Sequence, residues 1–103
     1  TTSAAKGVMI CNRNLAANIN AITPYVDLRP DDRLFSVLPL HHTYESTIGF
    51  LYPMAVGASI AVCQGLKHLA GDMQATQPTA ILAVPLLIEA LHKKIVKKAK
   101  KTP

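Results

Sequence analysis

The sequence predicts an α/β fold of alternating strand–helix units around a mostly parallel sheet. Three observations carry that prediction. Short apolar blocks at 7–11, 34–38, 58–63 and 79–84 alternate with longer segments whose apolar residues recur at helical spacing. The blocks are apolar at nearly every position, the pattern of strands covered by helices on both faces rather than of strands with one wet face. Proline or glycine stands at most of the changes, at Pro24, Pro39, Gly57, Pro78 and Pro85. Parallel strands need helical crossovers, which are right-handed, and such sheets bind ligands beyond the carboxyl ends of their strands.

The elements follow in order. Residues 7–11 form a short apolar run after a small-residue loop, and Asn12 or Asn14 then caps a helix carrying Leu15, Ile19 and Ile22, ended by Pro24. Pro30, Asp31 and Asp32 make a turn, because proline presets one backbone angle and aspartate bonds nearby backbone. The strand at 34–38 is stopped by Pro39. Ile48, Leu51, Tyr52 and Ala55 share one face of a helix over 43–55, Gly57 closes it, and 58–63 is the next strand. Leu66, Leu69, Ala70 and Met73 mark a helix over 66–77, broken by Pro78. A strand at 79–84 leads to Pro85 in the first turn of a helix through Leu87, Ile88, Leu91 and Ile95. The rule for parallel sheets singles out 39–45 and the turn at Pro85 as the ligand edge.

A chain of 103 residues has room for one domain. Half its residues are hydrophobic and 17% charged, the balance of a folded segment rather than a disordered one. The uncharged stretch 46–66 contains Gly49, Pro53, Gly57 and Gln64, and reads as helix then strand rather than a membrane span. The opening Thr1, Thr2 and Ser3 do not form the basic start of a secretory signal. Cys11 and Cys63 lack CxxC spacing and lie in apolar surroundings, so buried free thiols and a cytoplasmic setting are expected. Six of the eleven basic residues, Lys93, Lys94, Lys97, Lys98, Lys100 and Lys101, crowd the last helix. They read first as its solvated outer face, favoured near the C-terminus by the helix dipole. Peripheral contact with an anionic membrane is the alternative, and no nucleic-acid partner is expected.

The first seven residues, Thr1-Thr2-Ser3-Ala4-Ala5-Lys6-Gly7, combine hydroxyls, small side chains and one ammonium, which suits a loop closing on phosphate oxygens. Together with Val8-Met9-Ile10 and Asn12-Arg13-Asn14-Leu15, this segment resembles the phosphate loop of AMP-forming acyl-CoA synthetases, Ser-Gly-Thr-Thr-Gly-x-Pro-Lys-Gly-Val. Thr1 and Thr2 fall on its threonines, Lys6 on its lysine and Gly7 on the following glycine. Ser3 replaces the commoner glycine, Ala5 stands where proline is usual, and the loop is present only in part. A second match is Leu38-Pro39-Leu40-His41-His42-Thr43-Tyr44-Glu45, similar to the acyl and adenylate motif of the same superfamily, especially its long-chain fatty acyl members. The likeness continues through Gly57-Ala58-Ser59, Pro78-Thr79 and Val84-Pro85, and so covers the whole chain.

The resemblance implies that residues 1–103 are an internal fragment of a larger adenylate-forming N-terminal domain, with a phosphate loop at 1–7 and an acyl/adenylate motif at 38–45. It implies ATP, magnesium, coenzyme A and a fatty acid or other carboxylic acid as substrates or cofactors. It places Thr1, Thr2, Ser3 and Lys6 on the ATP phosphates and His42 beside the carboxylate and α-phosphate. Tyr44 would line or gate the acyl pocket, and Glu45, three residues after His42, would orient it. His42 and Glu45 as mere helix-capping residues remain the plain alternative. A metal site from His41, His42 and Glu45 is not expected, since adjacent histidines diverge and further ligands are lacking. The relatives' later Tyr-Gly-x-Thr-Glu segment, ribose-binding aspartate, hinge and mobile-domain lysine are not in these residues. The isolated chain is therefore expected to lack turnover and to self-associate through uncovered apolar surface. A non-catalytic phosphate-binding or membrane-associated α/β module is the competing reading.

Overall fold

The computed structural model describes residues 4–101. Helix α1 (Asn12–Ile22) comes first, followed by strand β1 (Arg33–Ser36). Helix α2 (Thr43–Ser46), a π-helical turn (Thr47–Leu51) and α3 (Tyr52–Val56) run on as one helical segment to β2 (Ser59–Val62). A 3₁₀ turn (Leu66–His68) leads into α4 (Leu69–Thr76), then β3 (Ala80–Ile81) and the long α5 (Pro85–Lys101). The sheet has strand order β2-β1-β3 with both pairings parallel, so the chain is α/β as its pattern predicts.

Alternation along β1 sends its side chains to two different helical layers. Phe35, with no exposed surface, packs with Leu69 of α4 and Leu87 of α5, and Val37, Ala61, Cys63, Ile81 and Ala83 join them. Leu34 and Ser36 face the opposite way, toward Tyr52 and Glu45 of the α2–α3 segment. The chain steps from β1 to β2 and then crosses back to β3 on the far side of β1. Two right-handed crossovers in opposite directions put their helices on opposite faces of the sheet, as observed.

The N-terminal edge of the sheet is held by polar contacts. The Arg33 backbone N–H donates to Thr79 Oγ1 at 2.8 Å, and its guanidinium donates to Ser59 Oγ and the Thr76 carbonyl. Thr79 Oγ1 donates to Asp32 Oδ1 at 2.9 Å, and Asp32 Oδ2 accepts the Arg29 N–H at 2.8 Å. The aspartate thus closes the turn expected at 30–32. Those backbone and hydroxyl donors hold the Asp32 carboxyl below the usual carboxylate range.

Four details depart from the sequence reading. Residues 7–10 form no strand: their backbone pairs with nothing, and Val8, Met9 and Ile10 are exposed. The N-cap of α1 is Cys11 rather than an asparagine, with Asn14 Oδ1 accepting the Cys11 N–H at 3.0 Å. Cys11 is consequently exposed and Cys63 half-buried, both as free thiols, rather than both buried. The helix expected at 43–55 contains the π turn. Proline at 53 would collide with the carbonyl four residues back in a regular α-helix, and the wider turn before it relieves that collision.

Candidate functional site

The carboxyl ends of β1 and β3 lie side by side, and the chain leaves both through a Leu/Val-Pro turn, Leu38-Pro39 and Val84-Pro85. Between these turns opens a cleft of about 430 Å³, lined by Leu38, Pro39, His42, Thr43, Tyr44 and Val84. This is the point where the strand order reverses, so the loops diverge and leave a crevice. The two segments singled out from sequence, 39–45 and the turn at Pro85, therefore meet in space.

His42 occupies the N-cap of α2 with extended backbone (φ −82°, ψ 133°), but its imidazole makes no capping hydrogen bond. Its carbonyl accepts the Ser46 N–H at 3.0 Å, and its own N–H donates to the Pro39 carbonyl at 3.2 Å. The backbone thus does the capping, leaving the ring at the cleft with His41 at a centroid separation of 4.5 Å. Four of the cleft's six lining side chains, Leu38, Pro39, Tyr44 and Val84, are apolar or aromatic, and His42 supplies a ring-nitrogen donor.

Tyr44 is half-exposed and borders two further depressions. One, of about 510 Å³, runs along α1 past Ile22, Tyr25 and Val26; the other, of about 250 Å³, lies over Leu34, Ile48, Tyr52 and Leu82. The ring stands where three hollows converge. The Tyr52 hydroxyl, on the floor of the smaller hollow, donates to the Val26 carbonyl.

Glu45 does not line the cleft. It is fully buried beneath it, where its Oε1 accepts the Ser36 hydroxyl at 2.8 Å and its Oε2 has no hydrogen-bond partner. Burial pushes its carboxyl above the usual glutamate range, and the Ser36 hydrogen bond offsets only part of the rise. The carboxyl lies against Gly49: a β-carbon there would stand 2.7 Å from Glu45 Cδ and closer still to Oε1. Ser36 was not a sequence candidate. The available signal was a charged residue followed four positions later by a mid-helix glycine, a spacing that leaves room for the first side chain over the second.

Lys6 is exposed in the N-terminal segment that precedes α1, and Thr1, Thr2 and Ser3 lie outside the described residues. Among the described residues, no group of three or more His, Cys, Asp or Glu side chains gathers to hold a metal, and no helix is long and apolar enough to cross a membrane.

A parallel α/β sheet with a crevice where its strand order reverses, lined in part by a histidine, is the architecture in which such folds seat their ligands. The chain belongs to the AMP-binding enzyme family, whose model matches residues 1–103. It is 34% identical over 94% of its length to a chloroplastic long-chain-fatty-acid–[acyl-carrier-protein] ligase of Arabidopsis thaliana. It is 33% identical over 99% of its length to long-chain-fatty-acid–CoA ligase 1 of Homo sapiens and 32% identical over 97% to ligase 5 of Rattus norvegicus. The chain spans 13–15% of the length of these relatives. No solved structure matches it.

Proposed function

We infer that these residues form one wall of the acyl and adenylate site in the N-terminal domain of an ATP-dependent fatty acid–CoA ligase. The observation that carries this reading is the cleft at the β1/β3 carboxyl ends, which sets the His42 imidazole against the apolar surface of Leu38, Pro39, Tyr44 and Val84. A fatty acid presents the complementary pair, an anionic head and an apolar tail. The relatives named as fatty acid ligases, at about one-third identity across the segment, agree with that substrate class.

In the proposed reaction a carboxylate oxygen attacks the α-phosphorus of ATP, forming acyl-adenylate and releasing pyrophosphate. The thiolate of coenzyme A then attacks the acyl carbon, and AMP leaves with the C–O bond electrons. His42 donates a hydrogen bond to an oxygen at the reacting end, where negative charge concentrates. Tyr44 borders the tail, and Thr1, Thr2, Ser3 and Lys6 hold the β- and γ-phosphates. Magnesium bound to the ATP phosphates would, with Lys6, offset the charge of the departing pyrophosphate. The segments at 1–7 and 38–45 act as phosphate loop and acyl motif within this one unit, and a cytoplasmic setting suits its use of ATP and coenzyme A.

The test is fatty acid-dependent exchange of pyrophosphate into ATP by a full-length protein carrying this segment. The reading requires exchange that depends on a long-chain acid, and exchange weakened at limiting ATP by Thr2→Ala or Lys6→Ala. Binding of ATP without acid-dependent exchange would instead favour a non-catalytic phosphate-binding module.

A further inference from the structure

The turn that carries His42 is tied at its base by a buried contact between Ser36 and Glu45. Ser36 is the last residue of β1 and Glu45 lies in the first turn of α2, with residues 37–44 between them. The Ser36 hydroxyl donates to Glu45 Oε1 at 2.8 Å, and both residues are buried, at 5% and 0% exposure. Ser36 is itself anchored to the sheet, since its carbonyl accepts the Cys63 N–H at 2.8 Å beyond the end of β2. Glu45 is held from the other side by Gly49, whose missing side chain makes the space the carboxyl occupies. The loop between them contains Leu38, Pro39, His42, Thr43 and Tyr44, five of the six residues of the cleft wall.

We propose that Glu45 is a positioning residue for His42, acting through Ser36: the buried Glu45–Ser36 hydrogen bond clamps both ends of the 37–44 turn and sets where the imidazole stands in the cleft. The inference rests on the functional reading above. It differs from direct orientation of the histidine by the glutamate, because the carboxyl spends its hydrogen bond on β1 and lies beneath the cleft instead of in it. A carboxyl stripped of water with one oxygen unpaired is a costly group to keep in a core, where an apolar side chain would pack without that cost. A geometric task accounts for a carboxyl at that cost. Closing the turn over a hydrogen bond buried from water resists fraying in a way that an exposed contact does not.

The experiment uses a full-length protein carrying this segment. Ser36→Ala, Glu45→Ala and Glu45→Gln are made alone and combined with His42→Ala, and kcat and KM for ATP are measured by pyrophosphate release, with melting temperature alongside. Ser36→Ala and Glu45→Ala are expected to lower kcat about 10-fold, the order of loss for a reacting group displaced by less than an ångström. KM for ATP should not change. In the His42→Ala background the same substitutions should lower kcat no further, because the histidine they position is gone. Glu45→Gln keeps an acceptor for the Ser36 hydroxyl and should restore kcat toward that of the unmodified enzyme. Losses that multiply with His42→Ala, or Glu45→Gln as damaging as Glu45→Ala, would overturn the proposal in favour of a purely structural contact. If Glu45→Ala does not fold, Ser36→Ala with His42→Ala completes the same cycle. A damaging His42→Ala beside a silent Ser36→Ala overturns the positioning role alone; a silent His42→Ala removes both it and the functional reading.

Discussion

Gly49→Ala should destabilise the protein, although alanine is the better helix former. In an unencumbered helix the substitution gains about 1 kcal/mol. Here the new β-carbon would stand 2.7 Å from Glu45 Cδ and 3.2 Å from Oε2, well inside ordinary contact distance. The carboxyl is the end of a flexible side chain, but it is fully buried, and moving it gives up the Ser36 hydroxyl. Overpacking of this kind costs about 1–3 kcal/mol, and leaving the buried hydroxyl and carboxyl unpaired costs about 1–3 kcal/mol more. Set against the helical gain, the net loss is about 1–5 kcal/mol. In a Glu45→Ala background the obstruction is absent, and Gly49→Ala should then stabilise by about 1 kcal/mol. Urea unfolding of the four variants, read as midpoints at constant slope, measures both values. An equal effect of Gly49→Ala in the two backgrounds would refute the packing of Glu45 on Gly49.

Two further outcomes follow from the same structure. Glu45 binds its proton more tightly folded than unfolded, so its contribution to stability is complete below the ordinary glutamate pKa and is lost as pH rises through the raised folded value. Asp32 has the opposite sign: its contribution is present above the ordinary aspartate pKa and is lost as pH falls through the lowered one. Stability against pH should therefore lose the decline that begins above the ordinary glutamate pKa in Glu45→Gln and part of its acid-side decline in Asp32→Asn, each checked by unfolding midpoints across pH. The 103-residue chain should also self-associate, because β2 and β3 are both edge strands and Met9, Val62, Leu86, Ile88 and Ile95 are exposed. Sedimentation at several concentrations checks this, and a monomer at the highest of them would count against it.

The strands at 33–36, 59–62 and 80–81 were legible, though shorter than the blocks read at 34–38, 58–63 and 79–84, because each block is apolar with a proline or glycine near its boundary. The same signal misled at 7–11, where Val8, Met9 and Ile10 form an apolar run with no strand beside it; periodicity reports what a segment favours, not whether a partner exists. The ligand edge was legible too, since Leu38-Pro39 and Val84-Pro85 mark strand ends that parallel topology places on one side. What the sequence concealed was the direction of Glu45. A carboxylate three residues after a histidine reads as its partner, and only the alternation of β1, which turns Ser36 toward the α2–α3 layer, shows why the side chain goes inward.

In the proposed function the imidazole at the β1/β3 crevice handles the reacting end of the acid and ATP. Single-turnover adenylation by a full-length protein carrying His42→Ala tests it most directly, with enzyme in excess over a radiolabelled long-chain acid and acyl-adenylate as the product followed. The expected rate is lowered about 10- to 1,000-fold, on the order of a lost oxyanion-type donor, with the melting temperature unchanged because the capping hydrogen bonds of α2 come from backbone. An undiminished rate would contradict it and leave His42 as no more than the residue at which a helix begins.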